Sequence, residues 1–173
     1  MYLNRRGVHE DDKEAAKWYR KSAEQGYAPA QYELGVMYAN GNGVPRDKKE
    51  AAKWNRKSAE QGYGDAQYDL GCDYFNGNGV PENKTLAVKW YRKAAEQGVK
   101  KAQYNLGVMY ANGRGVIEDK VQAYAWWNIS TANGHENAKK AKTTVAENMT
   151  KEQITEAQQL STKMVEANPK LIN

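Results

Sequence analysis

Lysine and arginine side chains recur at a fixed interval in this 173-residue sequence, and they are its best candidates for binding chemistry. Three columns repeat every 36 positions: Lys17, Lys53 and Lys89; Arg20, Arg56 and Arg92; and Lys21, Lys57 and Lys93. Arginine can hold a carboxylate through two parallel hydrogen bonds, and several weak contacts in series add up. The columns indicate either a surface for an acidic or extended peptide, or a solvated helix face.

A column of glutamates runs beside the basic columns and is expected to compensate part of their charge. Glu24 lies four residues after Arg20 and three after Lys21, so ion pairs within one helix are expected, at about 0.2–0.5 kcal/mol per pair. The whole chain has 26 basic and 21 acidic residues, a formal net charge of +5. Nucleic acid would need a larger and less interrupted positive field, so a nucleic-acid partner is not expected.

Residue sets for catalysis or metal binding do not emerge from the sequence. A nucleophile needs an adjacent base with an orienting partner, and no such set is found. The single cysteine, Cys72, shares the repeat position of Val36 and Val108, which favours a small buried side chain over a reactive thiol. The histidines, His9 and His135, are far apart in sequence and fall in turns. We expect no enzymatic activity, no cofactor and no metal.

The second repeat differs from the others at positions that could determine which partner binds. Asn55 stands where other repeats have Tyr19 and Tyr91, and Asp73 and Phe75 also break the pattern. We favour local repacking around Phe75 as the explanation. The alternative is a polar notch in the binding surface, in which Asn55 contacts the partner.

The fourth repeat loses the basic columns and is apolar almost all round. Asn128 replaces the arginine of that column, and Trp127 lies beside it. Either a C-terminal helix at 150–167 covers this segment, or Trp127 forms an exposed aromatic anchor for a partner.

Helical hairpins are the elements that must position these side chains. Tryptophans recur at positions 18, 54, 90 and 126, and a period of 36 residues is typical of a helix-turn-helix solenoid. Residues 15–25 form an amphipathic pattern, which we name helix A, and residues 30–40 form a more apolar one, helix B. Asp47 and Asn83 are suited to cap the helix A that follows each of them.

Glycine recurs in the middle of helix B, at Gly35, Gly71 and Gly107. A helical glycine costs about 1 kcal/mol relative to alanine. Because this glycine recurs in three repeats despite its cost, we predict that helix backbones are in close contact at these positions.

The pattern predicts a single domain made of successive repeats. We expect a remnant half-repeat at 1–10, then repeats at 11–46, 47–82, 83–118 and 119–149. A capping box from Thr150 to Gln153 begins a capping helix at 150–167, and a frayed tail follows at 168–173. The N-terminal edge is expected to be uncapped, covered by missing upstream sequence or by another chain.

The segment A-A-K-W-Y-R-K-S-A-E-Q-G-Y-A-P-A-Q-Y-E-L-G-V-M-Y-A-N-G-N-G-V-P-R-D resembles the Sel1-like repeat, a relative of the tetratricopeptide repeat. The resemblance covers about residues 1–140 and implies an all-α, right-handed α/α superhelix with helix A on its concave side. It also implies an adaptor role in protein complexes, linked in bacterial relatives to signalling or host interaction. Cysteine-rich relatives described as β-lactamases carry paired cysteines in each repeat, and Cys72 stands alone.

The sequence thus predicts a non-enzymatic scaffold that binds a protein or peptide in its concave groove. The alternatives are an envelope-associated hydrolase of the cysteine-rich type and a structural protein that self-associates through the N-terminal edge. No apolar run is long enough to insert in a membrane, and the first residues lack a secretory signal. The compartment stays open: cytoplasm, or periplasm and exterior if a signal has been removed.

Overall fold

The computed structural model describes residues 10–172, and in this range the chain is built from α-helices joined by short turns. The chain consists of two compact units, of which the first ends at Glu82 and the second begins at Asn83. The described helices of the first unit are α1 (Glu10–Glu24), α2 (Ala28–Asn40), α3 (Lys48–Glu60) and α4 (Gly64–Asn76). Those of the second are α5 (Lys84–Ala95), α6 (Lys100–Ala111), α7 (Lys120–Ala132), α8 (Glu136–Ala146) and α9 (Lys151–Ala167), followed by a 3₁₀ turn (Pro169–Leu171). The predicted all-α fold of helical hairpins is confirmed.

In the first unit each helix packs on the next along the chain, and α2 lies between α1 and α3. Ala23, Ala30, Leu34 and Trp54 form a buried cluster that joins these three helices. Asp47 caps α3 by accepting hydrogen bonds from two backbone amides, as predicted. The turn after α2 reverses at Gly41, whose positive φ of 81° favours glycine.

In the second unit α7 is the central helix and contacts α6, α8 and α9. Asn83 caps α5 by accepting from the amide of Leu86, as predicted. Thr150 and Gln153 form the predicted capping box at the start of α9. Of the two sequence interpretations for the apolar α7, the structure shows the first, in which α9 covers it.

The glycines of helix B make room for a side chain of the following helix A. A Cβ atom on Gly35 would lie 2.3 Å from Oδ1 of Asn55, and one on Gly107 would lie 2.5 Å from Nε1 of Trp127. The backbone oxygen of Ala51 is farther from the Gly35 position, at 3.2 Å. The contact is close, as predicted, but its nearest partner is a side chain rather than the backbone.

The C-terminal segment is docked, which makes the prediction of a frayed tail at 168–173 wrong for its described part. Leu171 is buried, and its carbonyl oxygen accepts from Gln103 Nε2 at 2.8 Å and from Asn133 Nδ2 at 2.7 Å. Asn168 Nδ2 donates to the carbonyl of Glu96 at 2.8 Å. These contacts satisfy amide groups of α6 and of the turn after α7, which gives the segment a fixed position.

Two further expectations concern the N-terminal end and the membrane. The remnant half-repeat was predicted at 1–10, and residues 1–9 lie outside the described part of the chain, as does the predicted uncapped edge. Glu10 is described and belongs to α1. None of the helices between Glu10 and Ile172 is long and apolar enough to cross a bilayer.

We expect Gly107→Ala to destabilise the protein more than Gly134→Ala. The first change places a Cβ against the buried indole of Trp127 and should cost about 2–3 kcal/mol of unfolding free energy. Gly134 has a φ of +75° but nothing within 4 Å, so only backbone strain of about 1 kcal/mol applies. Urea unfolding followed by circular dichroism measures both. Equal losses would contradict the close contact.

Leu171→Ala should lower the unfolding free energy by about 2–3 kcal/mol, because it removes a buried side chain from a docked segment. Lys170→Ala, at an exposed position, is the control and should change it by less than about 0.5 kcal/mol. The same urea titration compares the two variants. If Leu171→Ala left the unfolding free energy unchanged, the tail would be free in solution.

Candidate functional site

Each arginine of the repeat column is paired with a tyrosine 18 positions later, on the neighbouring helix B. Arg20 Nη2 donates to the hydroxyl of Tyr38 at 2.6 Å. The equivalent bonds are Arg56 to Tyr74, at 2.6 Å, and Arg92 to Tyr110. In each pair the guanidinium carbon also lies 5.7–5.8 Å from the tyrosine ring centroid. We call these three pairs the arginine–tyrosine sites.

The arginines of these sites have no carboxylate partner among residues 10–172. The expected pairing of Glu24 with Arg20 or Lys21 does not form, because Arg20 reaches across to Tyr38 on α2 instead of along its own helix. Ion pairs that the described residues do form include Lys17 with Glu14 and Lys53 with Glu50, both at 3.0 Å and both exposed. The guanidinium charges are therefore held in place without being neutralised.

The lysine columns flank the arginines and remain exposed. The lysine that directly follows each arginine lies over the tryptophan three residues before it, with Nζ 4.1–5.6 Å from the ring centroid. These pairs are Lys21 with Trp18, Lys57 with Trp54 and Lys93 with Trp90. In the third repeat Leu86 occupies the position of Glu14 and Glu50, so Lys89 lacks the ion pair that Lys17 and Lys53 make.

Asn55 lies in the core, contrary to the interpretation that it lines a binding surface. It is 5% exposed, beneath Gly35 of α2, and its Nδ2 donates to Asp73 Oδ2 at 3.4 Å. Its Oδ1 is buried and has no hydrogen-bond partner among the residues that the structure describes. Burial raises the pKa of Asp73 to about 6, while the amide of Asn55 partly counteracts this rise. The polar pair occupies an interior position, where no partner side chain reaches Asn55.

Trp127 is also a core residue and not an exposed anchor. It is 5% exposed, packs against Gly107 and donates from Nε1 to the carbonyl of Tyr104 at 3.0 Å. Ala123 and Ala138 complete this cluster. The indole joins three helices of the second unit and is inaccessible to a partner.

His135 and Cys72, the residues considered as candidates for chemistry, contribute to the packing and capping of helices. His135 caps α8 and stacks on Tyr104 with ring centroids 4.6 Å apart, and burial lowers its pKa. Cys72 is half-buried on α4, less covered than predicted. No group of metal-ligating side chains able to hold an ion occurs in residues 10–172. His9 lies outside the described residues.

Two features of the surface were not found from the sequence. One is the tyrosine partner of each arginine, whose signal is the column of Tyr38, Tyr74 and Tyr110 half a period from the arginines. The other is a hollow of about 410 Å³ on α1 and α2, lined by residues that include Trp18, Tyr19 and Tyr27. Trp18 is 63% exposed, whereas Trp54 at the equivalent position is 6% exposed.

Asp73→Asn should remove a pH dependence of stability. The pKa of Asp73 is higher in the folded protein than its ordinary value of 3.8, so the folded state binds this proton more tightly. Its stabilisation is present at about pH 4 and is lost as the pH rises through about 6. Relative to the variant, the unfolding free energy of the wild type should fall by about 1–2 kcal/mol between about pH 4 and pH 7.5. Urea unfolding at both pH values tests this, and a constant difference would contradict it.

Comparisons with known proteins agree with this architecture. A profile of the Sel1 repeat matches residues 1–27, 28–63, 64–99 and 100–135, in a frame that pairs each helix B with the next helix A. A comparison with curated protein sequences gives no match.

Three solved structures illustrate the similarity. A Sel1 repeat protein from Oxalobacter formigenes is 38% identical with a TM-score of 0.72, over 76% of this chain and 54% of that one. The protein c5321, a protective antigen of uropathogenic Escherichia coli with an SLR fold, is 31% identical with a TM-score of 0.69, over 90% of this chain and 42% of that one. Cysteine rich protein B of Helicobacter pylori is 25% identical with a TM-score of 0.59, over 75% and 92% of the two chains.

This chain spans about half the length of the first two structures. The repeat profile covers most of its length, and the internal packing repeats with the same period. The chain belongs to the Sel1 repeat family.

Proposed function

We propose that this protein is a non-enzymatic interaction scaffold that binds acidic segments of another protein at the arginine–tyrosine sites, two of which lie in the first unit and one in the second. The observation that carries the proposal is that Arg20, Arg56 and Arg92 are oriented by tyrosine hydroxyl groups and have no carboxylate partner in the part of the chain that the structure describes. Sel1 repeat proteins are generally protein-interaction scaffolds, which supports the broader role.

A tyrosine hydroxyl orients a guanidinium group without cancelling its charge. Arginine has five N–H donors, and the bond to the hydroxyl leaves the others for a ligand. The side chain is also restrained before binding, so less conformational entropy is lost when a carboxylate arrives. Had Glu24 paired with Arg20, a partner carboxylate would first have to displace it.

The surrounding lysines fit the same class of ligand. Lys21, Lys57 and Lys93 are exposed next to the arginines in sequence, and Lys17, Lys53 and Lys89 add further exposed positive charge within each unit. Lys89 has no equivalent of the glutamate that pairs with Lys17 and Lys53, so the third repeat offers the least compensated group. Asn55 and Trp127 are left out of the proposed surface because both are buried.

The variant R20E/R56E/R92E should lose binding to an acidic peptide. A fluorescein-labelled chain of about twenty glutamates serves as the probe, and fluorescence anisotropy at low salt measures its dissociation constant. Charge reversal replaces three guanidinium groups, which donate hydrogen bonds to carboxylates, by three repulsive carboxylates, so affinity should fall by more than about tenfold. Binding of the wild type should also weaken as salt is raised, because Arg56 and the flanking lysines are exposed to solvent.

The matched control is K101E/K139E/K140E, which changes the net charge by the same amount at exposed positions on α6 and α8. This variant should keep most of the affinity. Equal losses in the two variants would show that binding reflects net charge alone and would overturn the proposed site. A single-stranded DNA probe that binds the wild type more tightly than the peptide would also contradict the proposal.

A further inference from the structure

In the first unit, acidic side chains of α2 and α4 surround a pair of tyrosines. The ring centroids of Tyr32 on α2 and Tyr63, between α3 and α4, lie 5.3 Å apart. The hydroxyl of Tyr32 donates a hydrogen bond to the carboxylate of Asp69. Asp65 is exposed and Glu33 is half-buried, and burial raises the pKa of both tyrosines, as do these carboxylates. We call this surface, formed by the five residues, the acidic face.

The second unit has an equivalent aromatic pair that is surrounded by lysines. Tyr104 and His135 stand two repeats after the tyrosines of the acidic face, and their rings stack. Lys100 and Lys101 in the first turn of α6 are exposed, as is Lys140 on α8. Burial lowers the pKa of His135, and the charges of Lys100 and Lys101 lower it further. We call this surface the basic face.

The charges of the two faces follow the charges of the two units. Residues 1–82 have 12 basic and 13 acidic side chains, whereas residues 83–173 have 14 basic and 8 acidic ones. Asp65 and Lys101 occupy the same repeat position one period apart, so equivalent helices present opposite charges there. Glu136 stands at the position of Lys100 in the last repeat and offsets part of the charge of the basic face. The positive net charge of the chain nevertheless comes from the second unit.

We propose that two copies of this chain associate through these faces, the acidic face of one copy against the basic face of the other. A second copy is the favoured occupant because each face has its electrostatic complement in the same chain, around an equivalent aromatic pair. The lysines meet carboxylates and tyrosine rings together, and such rings attract cations. A flexible polyglutamate probe has no such rings, so it is a poor substitute for the acidic face.

The association is expected to be weak and sensitive to salt. The lysines of the basic face and Asp65 are exposed, so dissolved ions screen their attraction. Because different surfaces of the two copies meet, the contact is either reciprocated within a closed assembly or repeated along an open one. In both cases the mean mass rises with protein concentration.

Sedimentation equilibrium of the wild type in about 50 mM salt should show this rise, and about 0.5 M salt should abolish it. The variants E33K/D65K and K100E/K101E should each weaken the association by more than about tenfold. Each variant gives both of its faces the same sign, positive in the first and negative in the second. An equimolar mixture of the two variants should therefore associate again, which also shows that both are folded.

The matched controls are E24K/E60K and K151E/K163E, which change the net charge by the same amounts at exposed positions away from both faces. Both controls should associate like the wild type. Equal losses in the controls and the face variants would show that net charge alone governs association and would overturn the proposal. A monomer up to about 1 mM wild-type protein in low salt, or a mixture that stays monomeric, would also overturn it.

The variant R20E/R56E/R92E separates this contact from the arginine–tyrosine sites. It should keep the association, because these arginines belong to neither face. Association that is lost in this variant but kept in K100E/K101E would place the acidic face on the arginine–tyrosine sites of the other copy. That result would contradict the role of the basic face.

Discussion

The approach of each helix B to the following helix A is the constraint on which the rest of the structure depends. Gly35 admits Asn55 of the following helix, and Gly107 admits Trp127. Where helix B lies this close, serine reaches a first-turn carbonyl and two side-chain amides pair. The glycine costs helix propensity, but the close packing buries the tryptophan face of helix A. Repetition of this contact is what builds a solenoid from weakly stable hairpins.

The same packing determines what the surface offers. Because helix A and helix B of one repeat lie side by side, each arginine meets a tyrosine hydroxyl half a repeat away. A guanidinium group that is bonded to a hydroxyl stays charged and keeps free donors. The guanidinium groups are therefore oriented by the fold and have no carboxylate partner among residues 10–172, which supports the proposed recognition of carboxylates.

The sequence predicted those features that repeat with its period or that depend on residues close together in the chain. The helical hairpins, the caps at Asp47 and Asn83, and the capping box of α9 follow from local residue chemistry, and all are present. The partner of Arg20 was missed because a helical wheel shows neighbours on one helix, whereas the bond runs between two helices. The docked tail was missed for a similar reason: Leu171 is held by amides of Gln103 and Asn133, which are distant in sequence. The choice between covered and exposed positions for Trp127 also required the position of α9.

The central claim is that tyrosine hydroxyls orient the arginines for an acidic ligand, and replacing Tyr38, Tyr74 and Tyr110 together by phenylalanine tests it most directly. This change keeps every charge and every aromatic ring, and removes only the hydroxyl oxygens. Isothermal titration with a polyglutamate peptide should show a weaker affinity, by about threefold to tenfold, with a less favourable entropy because the arginines are no longer restrained. An unchanged affinity in a variant that remains folded would show that the arginines act as unrestrained surface charges and would contradict the account.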